Sequence, residues 1–348
     1  MREGKVEDVK KNRLMQLFHQ LLSERDSSSR RVGMMWLERA IAERMQPIMN
    51  EAAKAKEASF IEWQKDIHNV EYAAVHRLAK QDYVDKMLGV GNLWRELCHI
   101  FVASPKQHRN FATLAARHLM DGFSMEILDG DSGMFCREWV DTILSELHTL
   151  TTQALNKQRP ARVFVLSVVG LQSSGKSTLL NLMFGTQLHT SAGRCTRGVH
   201  FQLVKAERDE YDYVLLLDTE GIRSPEFYGL YGSHIRDNRL GTFALLPVDA
   251  SVLLVPNEDD TGLKEVLSMA LLAFKGSAIA ESYGGRVRSK MVFVYRSVDI
   301  NDKKKLKDNK EKLQLDLMTA AGLVAATEDD AELDRDEGVW LAGGSCNW

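Results

Sequence analysis

Gly170-Leu-Gln-Ser-Ser-Gly175-Lys176-Ser177 sets two glycines around a four-residue turn, followed by a lysine and a hydroxyl, the spacing G-x-x-x-x-G-K-[ST]. Glycines let the backbone wrap tightly, so that several N–H groups converge on an anion. A helix starting near Lys176 would add its N-terminal partial positive charge. In this pattern the lysine reaches the β- and γ-phosphates of a nucleotide, and the Ser177 hydroxyl ligates Mg²⁺. Gly170, Ser173, Ser174, Gly175, Lys176, Ser177 and Thr178 are therefore the expected nucleotide-binding set. Ser174 and Thr178 have no separate chemistry within it.

A second constellation follows some forty residues on. Asp218-Thr-Glu-Gly221 leaves the apolar run Val214–Leu217, and a carboxylate at such a strand end can hold Mg²⁺ through water. The Gly221 N–H is placed to approach the γ-phosphate. Between the two motifs lies Thr190-Ser-Ala-Gly-Arg-Cys-Thr196-Arg197-Gly198. A switch loop needs a hydroxyl that ligates the metal only when the γ-phosphate is present. Thr196 is the first choice, with Thr190 and Ser191 as rivals. Arg197 and Arg194 are candidates for transition-state charge, in cis or across a dimer, against the commoner role of a surface arginine. Ile222 stands where a water-orienting Gln would follow Gly221, so a Ras-type arrangement of the attacking water is excluded.

Base choice falls to Asp299, beyond the apolar run Val292–Tyr295. A carboxylate there can accept from guanine N1–H and its exocyclic amine, a donor pair that adenine lacks. The alternative is an ordinary helix N-cap. Lys303–Lys305 read as a solvated helix face.

The elements that must carry these residues change texture near Lys157–Pro160. Residues 1–157 are expected to form an α-helical domain, and residues 158–348 a P-loop nucleotide-binding domain. Helical stripes run through Leu14, Leu17, Phe18, Leu21 and Leu22, through Phe111, Leu114, Ala115 and Leu119, and through Val140, Ile143, Leu144, Leu147 and Leu150. A serine-rich break is expected at Ser27–Ser29. Short apolar runs at Val163–Val169, Val199–Val204, Val214–Leu217, Val252–Val255 and Val292–Tyr295 read as strands. A helix with Leu263, Val266, Leu267, Ala270, Leu271 and Phe274 on one face separates the last two. Strands alternating with helices give an α/β fold with a doubly wound, mostly parallel, Ras-like sheet. Only one further helix pattern, through Leu306, Leu313, Leu317 and Met318, follows Asp299. The tail is atypical from about residue 323, so the nucleotide-binding domain is expected to be a fragment, incomplete at its C-terminus, with an exposed sheet edge.

Composition narrows the partners. The 348 residues carry a formal net charge of −3, with 44% hydrophobic and 27% charged side chains, which gives no bulk-charge reason for nucleic-acid or membrane binding. No apolar run approaches a transmembrane length, and the charged N-terminus is not a signal peptide. Cys98, Cys136, Cys195 and Cys346 lack zinc spacing and read as reduced thiols of an intracellular protein.

The segments GLQSSGKSTLLN, GRCTRG, LLLDTEGI and Arg236-Asp-Asn-Arg-Leu-Gly-Thr-Phe243 resemble those of the very large inducible GTPases. That interferon-inducible group includes the up-regulator of cell proliferation type and lies near the guanylate-binding and dynamin-like GTPases. Met125-Glu-Ile-Leu-Asp-Gly-Asp131 and Trp139-Val140 are similar to the segment such proteins carry before their G domain. The resemblance spans about Asn110–Val298. It implies that Lys176 and Ser177 are the P-loop pair, Thr196 the switch I threonine and Asp218 the switch II aspartate. Asp299 falls at the Asp of the guanylate-binding Arg-Asp base motif, with Val298 in place of the Arg. Ser173 occupies the place of a P-loop arginine finger. The family implies a cytoplasmic, and in part nuclear, GTPase that self-associates through its nucleotide face, with a link to interferon defence. The expected activity is Mg²⁺-dependent hydrolysis of GTP to GDP and phosphate. A nucleotide-dependent scaffold with slow or no hydrolysis is the alternative, and an ATPase or small-molecule kinase the third reading.

Overall fold

The computed structural model describes residues 12–130, 133–155, 158–171, 174–186, 188, 198–207, 210–221, 240–241, 243–245, 248–256, 290–296 and scattered positions from 301 to 319. The chain forms two compact units that divide between Asp121 and Gly122.

The first unit is helical. Helix α1 (Arg13–Ser23) starts at Asn12, whose Oδ1 accepts from the Leu14 and Met15 amides, satisfying two of the donors a helix N-terminus leaves open. It buries Met15, Phe18 and Leu22, while Leu17 lies 45% exposed on the other face. Helix α2 (Ser27–Lys65) is capped by Asp26, which accepts from the Ser29 amide at 2.7 Å. The serines expected to break the chain are thus the first turn of a helix. The break lies just before them, because a capping aspartate makes a serine-rich segment a helix start. Helix α3 (Val70–Asp85) packs along α2 as a hairpin, with Trp63 stacked on His76 at 5.5 Å. Helices α4 (Val90–Ala103) and α5 (Arg109–Met120) bury Leu93, Trp94, Leu97, Ile100 and Phe101, and Phe111, Leu114, Ala115 and Leu119. Arg30 meets Asp121 with both side chains nearly closed to water. Arg30 Nη2 donates to Asp121 Oδ1 at 2.7 Å and Nη1 to the Glu24 carbonyl at 2.7 Å, so the buried charge is paired and hydrogen-bonded.

The second unit is α/β, built on a mostly parallel six-stranded sheet. Its strands are β1 (Ser124–Leu128), β2 (Val163–Gly170), β3 (Val199–Lys205), β4 (Tyr213–Thr219), β5 (Ala250–Pro256) and β6 (Lys290–Arg296), in the order β1-β3-β4-β2-β5-β6. Strands β4, β2, β5 and β6 run parallel, whereas β3 lies antiparallel between β4 and β1. Helix α6 (Arg137–Leu155) precedes β2, and helix α7 (Lys176–Phe184) follows it. A core of Leu166, Val168, Leu180, Leu188, Leu216, Ala250 and Val252 packs α7 against the sheet.

The five expected strand runs all lie in strands. Strand β1 was not expected. Its five residues, Ser-Met-Glu-Ile-Leu, combine a helix former's composition with a length too short for alternation to show. Because β1 pairs with β3, the composition break at Lys157–Pro160 lies inside the second unit. The expected helix over 263–274 falls outside the described residues. Lys303 and Lys304 are helical and exposed.

Candidate functional site

Two carboxylates set the register that aims the site. Asp212 Oδ2 accepts from Arg159 Nη1 at 2.6 Å and from the Arg162 amide at 2.8 Å. Asp249 accepts from the Val165 amide at 2.8 Å, and its own N–H returns to the Val165 carbonyl at 2.9 Å. These contacts tie the starts of β2, β4 and β5, so their opposite ends emerge at one edge. The Asp212 pairing holds the Arg159 guanidinium above its usual range. Burial, and then the Asp212 charge, raise the Tyr213 phenol.

At the other end β2 stops at Gly170 in parallel register with Leu254. A Cβ at Gly170 would sit 2.7 Å from the Leu254 carbonyl oxygen, so the strand exit closes only around glycine. Gly175 takes the left-handed conformation, φ +88°, and caps α7. Gly170 and Gly175 thus form both walls of a tight turn. The Lys176 side chain folds back over that turn, and Nζ donates to the Leu171 carbonyl at 2.8 Å and the Gly170 carbonyl at 3.3 Å. Only 6% of Lys176 is exposed. A buried ammonium held by backbone carbonyls is a preformed positive wall for an anion in the turn.

Across the turn, Ser177 Oγ donates to Asp218 Oδ2 at 2.8 Å. Asp218 stands beside Val168 in the sheet register and is 2% exposed. Thr219 Oγ1 donates to the Val168 carbonyl at 2.8 Å, pinning the end of β4 to β2. Glu220 is 1% exposed; its Oε2 accepts from the Gly198 amide at 2.9 Å, and its own N–H donates to the Gly198 carbonyl at 2.7 Å. Gly221 is buried directly after it.

The geometry brings together Gly170, Ser174, Gly175, Lys176, Ser177 and Asp218; Thr178 lies in the first turn of α7, and Gly221 directly follows Glu220. Ser173, Thr190, Ser191, Arg194, Thr196, Arg197, Ile222 and Asp299 lie outside the described residues. Thr219 and Glu220 were read from the sequence only as members of the Asp218–Gly221 motif, with no role of their own. Their one signal was an acidic and a hydroxyl side chain directly continuing a fully apolar strand.

A hydroxyl and a carboxylate in contact are the hard oxygen donors that Mg²⁺ takes. The glycine-walled turn beside them has no room for even a methyl group at Gly170. The residues present therefore fit a metal–phosphate group.

A family profile described as URGCP-like GTPase domain matches residues 2–335. The chain belongs to that family. Membership makes it a GTPase domain, with GTP the implied ligand. This URGCP-like GTPase domain is 31% identical over 261 residues to the mouse interferon-induced very large GTPase 1, covering 71% of this chain and 10% of that protein. It is 34% identical over 152 residues to the cattle up-regulator of cell proliferation, covering 39% of this chain and 16% of that protein. A SEY1 homolog from Giardia intestinalis is 38% identical over 112 residues, or 31% of this chain and 11% of that protein. The chain thus spans a small fraction of the curated relatives it matches. Among the described residues, no helix is long and apolar enough to cross a membrane.

Proposed function

We propose that this domain binds GTP with Mg²⁺ and hydrolyses it to GDP and phosphate. The observation that carries the reading is the contact of Ser177 with Asp218 beside a turn walled by Gly170, Gly175 and the Lys176 ammonium. The loop amides and Lys176 hold the phosphates, Lys176 swinging from its two carbonyls to the more basic phosphate oxygens. Gly221 offers its N–H to the terminal phosphate. Ser177, Asp218 and Thr196 would hold the metal, directly or through water, and the metal would supply positive charge against that of the phosphates. Ser173, Ser174 and Thr178 complete the phosphate cradle, Arg197 supplies transition-state charge, and Asp299 selects guanine.

The sheet is read as a Ras-like, doubly wound G domain. The nucleotide governs self-association through the same face, as a homodimer or larger oligomer. Cytoplasm and nucleus are the compartments the family suggests, with interferon-linked defence the process. The test is single-turnover phosphate release by the full chain with Mg²⁺ and GTP. The reading expects release well above that of GTP in buffer, and none above it for Lys176→Ala.

One specific feature favours a second reading, a nucleotide-dependent scaffold. Ile222 cannot orient a water and Ser173 cannot supply positive charge, and these are the positions where a water-orienting Gln and a P-loop arginine finger would stand. Tight GTP binding with release no faster than in buffer selects the scaffold. ATP competing equally with GTP would select the third reading, an ATPase or kinase.

A further inference from the structure

Four segments distant in sequence meet at the β1 edge of the sheet. Gly198 sits at φ +59°, and a Cβ there would overlap the Leu128 carbonyl oxygen and come within 2.6 Å of the Gly130 amide nitrogen. Gly198 therefore lies flat against the exit of β1. Both of its backbone polar groups are held by Glu220, the N–H by the carboxylate and the carbonyl by the Glu220 amide. Beyond Leu128 the chain folds on itself: the Asp129 amide donates to the Met134 carbonyl at 3.0 Å, the Gly133 amide to the Asp129 carbonyl at 2.8 Å, and Phe135 bridges back to Leu128. Phe135 then meets Phe243, ring centroids 4.9 Å apart.

The geometry points to Ser124–Gly130 with Gly133–Cys136 as a reader of nucleotide state, bearing on the end of switch I through Gly198 and on the segment after switch II through Phe243, with Glu220 the positioning residue that joins them to the phosphate site. The inference rests on the GTP reading of the preceding subsection.

Asp218, which accepts from Ser177, lies near the end of β4, and Glu220, two residues on, directly follows the strand. Any shift of Asp218 on metal or phosphate binding moves the Glu220 backbone. Glu220 holds Gly198 by a charge-assisted bond and a backbone bond. Gly198 cannot yield toward Leu128, since the two backbones are already in contact. The displacement passes to the Leu128–Phe135 bridge, beside a strand register already irregular between Glu126 and Leu128, and packed contacts respond by discrete rearrangement. A ligand shifts such an element only through contacts that differ between states. Under the GTP reading the Gly221 N–H, one residue beyond Glu220, meets the terminal phosphate, a contact that GTP makes and GDP lacks.

The test is hydrogen exchange by mass spectrometry on the full chain with Mg²⁺ and either GDP or a non-hydrolysable GTP analogue. Calorimetry on the same samples establishes occupancy. The expected result is a difference of at least about fivefold in exchange at residues 129–136 between the two nucleotides. Phe135→Ala should lose that difference while binding GDP as wild type does. Glu220→Ala should also lose it, and Glu220→Gln, which keeps an oxygen for the Gly198 amide, should retain it. Exchange at 129–136 that is equal in the two states, with both nucleotides bound, overturns this proposal and leaves the GTP reading standing. Loss in Glu220→Gln as in Glu220→Ala overturns the positioning role. Absence of binding heat removes the GTP reading, and this inference with it.

Discussion

The Leu254 carbonyl oxygen lies 2.7 Å from where any other residue at position 170 would carry its Cβ. Gly170→Ala must push apart β2 and β5 or distort the turn. The expected cost is about 1–3 kcal/mol of stability, read by urea unfolding, with a larger loss of nucleotide affinity. Thr219→Val is a milder change, removing one buried hydroxyl-to-carbonyl bond across β4 and β2. It should cost about 1 kcal/mol in the same measurement. Lys176, Ser177 and Asp218 were legible in the sequence because the chemistry of a phosphate turn fixes their spacing to one another and to a strand end. Glu220 was not legible as a structural group. Its partner Gly198 lies at the start of a different strand, and only the β3–β4 register brings the two together.

The same contrast holds for whole elements. Buried parallel strands such as β2 and β4 announce themselves as continuous apolar runs, and helices α1, α5 and α6 by their stripes. Strand β1 is short, sits directly after a helix and is written in residues that also suit helices. Pairing with β3 decides its state, and pairing is a long-range property. The α2–α3 hairpin carries a pH prediction. Burial first, then Lys80 and Lys56, hold His76 below the ordinary imidazole value of 6.5. The unfolded chain therefore takes up the proton more readily, and this contribution to stability is present above pH 6.5 and lost as pH falls through the lowered value. Urea melts of wild type and His76→Gln between about pH 8 and pH 5 should show wild type losing stability relative to the variant on acidification. A constant gap between the two would contradict it.

At the scale of the molecule, the composition break at Lys157–Pro160 and the compact units do not coincide, since the second unit begins at Gly122 and takes in β1 and α6. Composition reports local texture, whereas a unit is defined by what its strands pair with. The site should stabilise the whole nucleotide-binding unit by mass action. A GTP analogue at about a hundred times its dissociation constant should add about 2.7 kcal/mol, read as a higher thermal midpoint for wild type and little change for Lys176→Ala. The most direct measurement is calorimetric titration of GTP, GDP and ATP with Mg²⁺ into wild type and Lys176→Ala. GTP should bind in preference to ATP, and the substitution should weaken triphosphate binding by at least about 2 kcal/mol, roughly thirtyfold. Equal affinity of the two proteins for GTP would show that the turn at Gly170–Ser177 is not where the nucleotide binds.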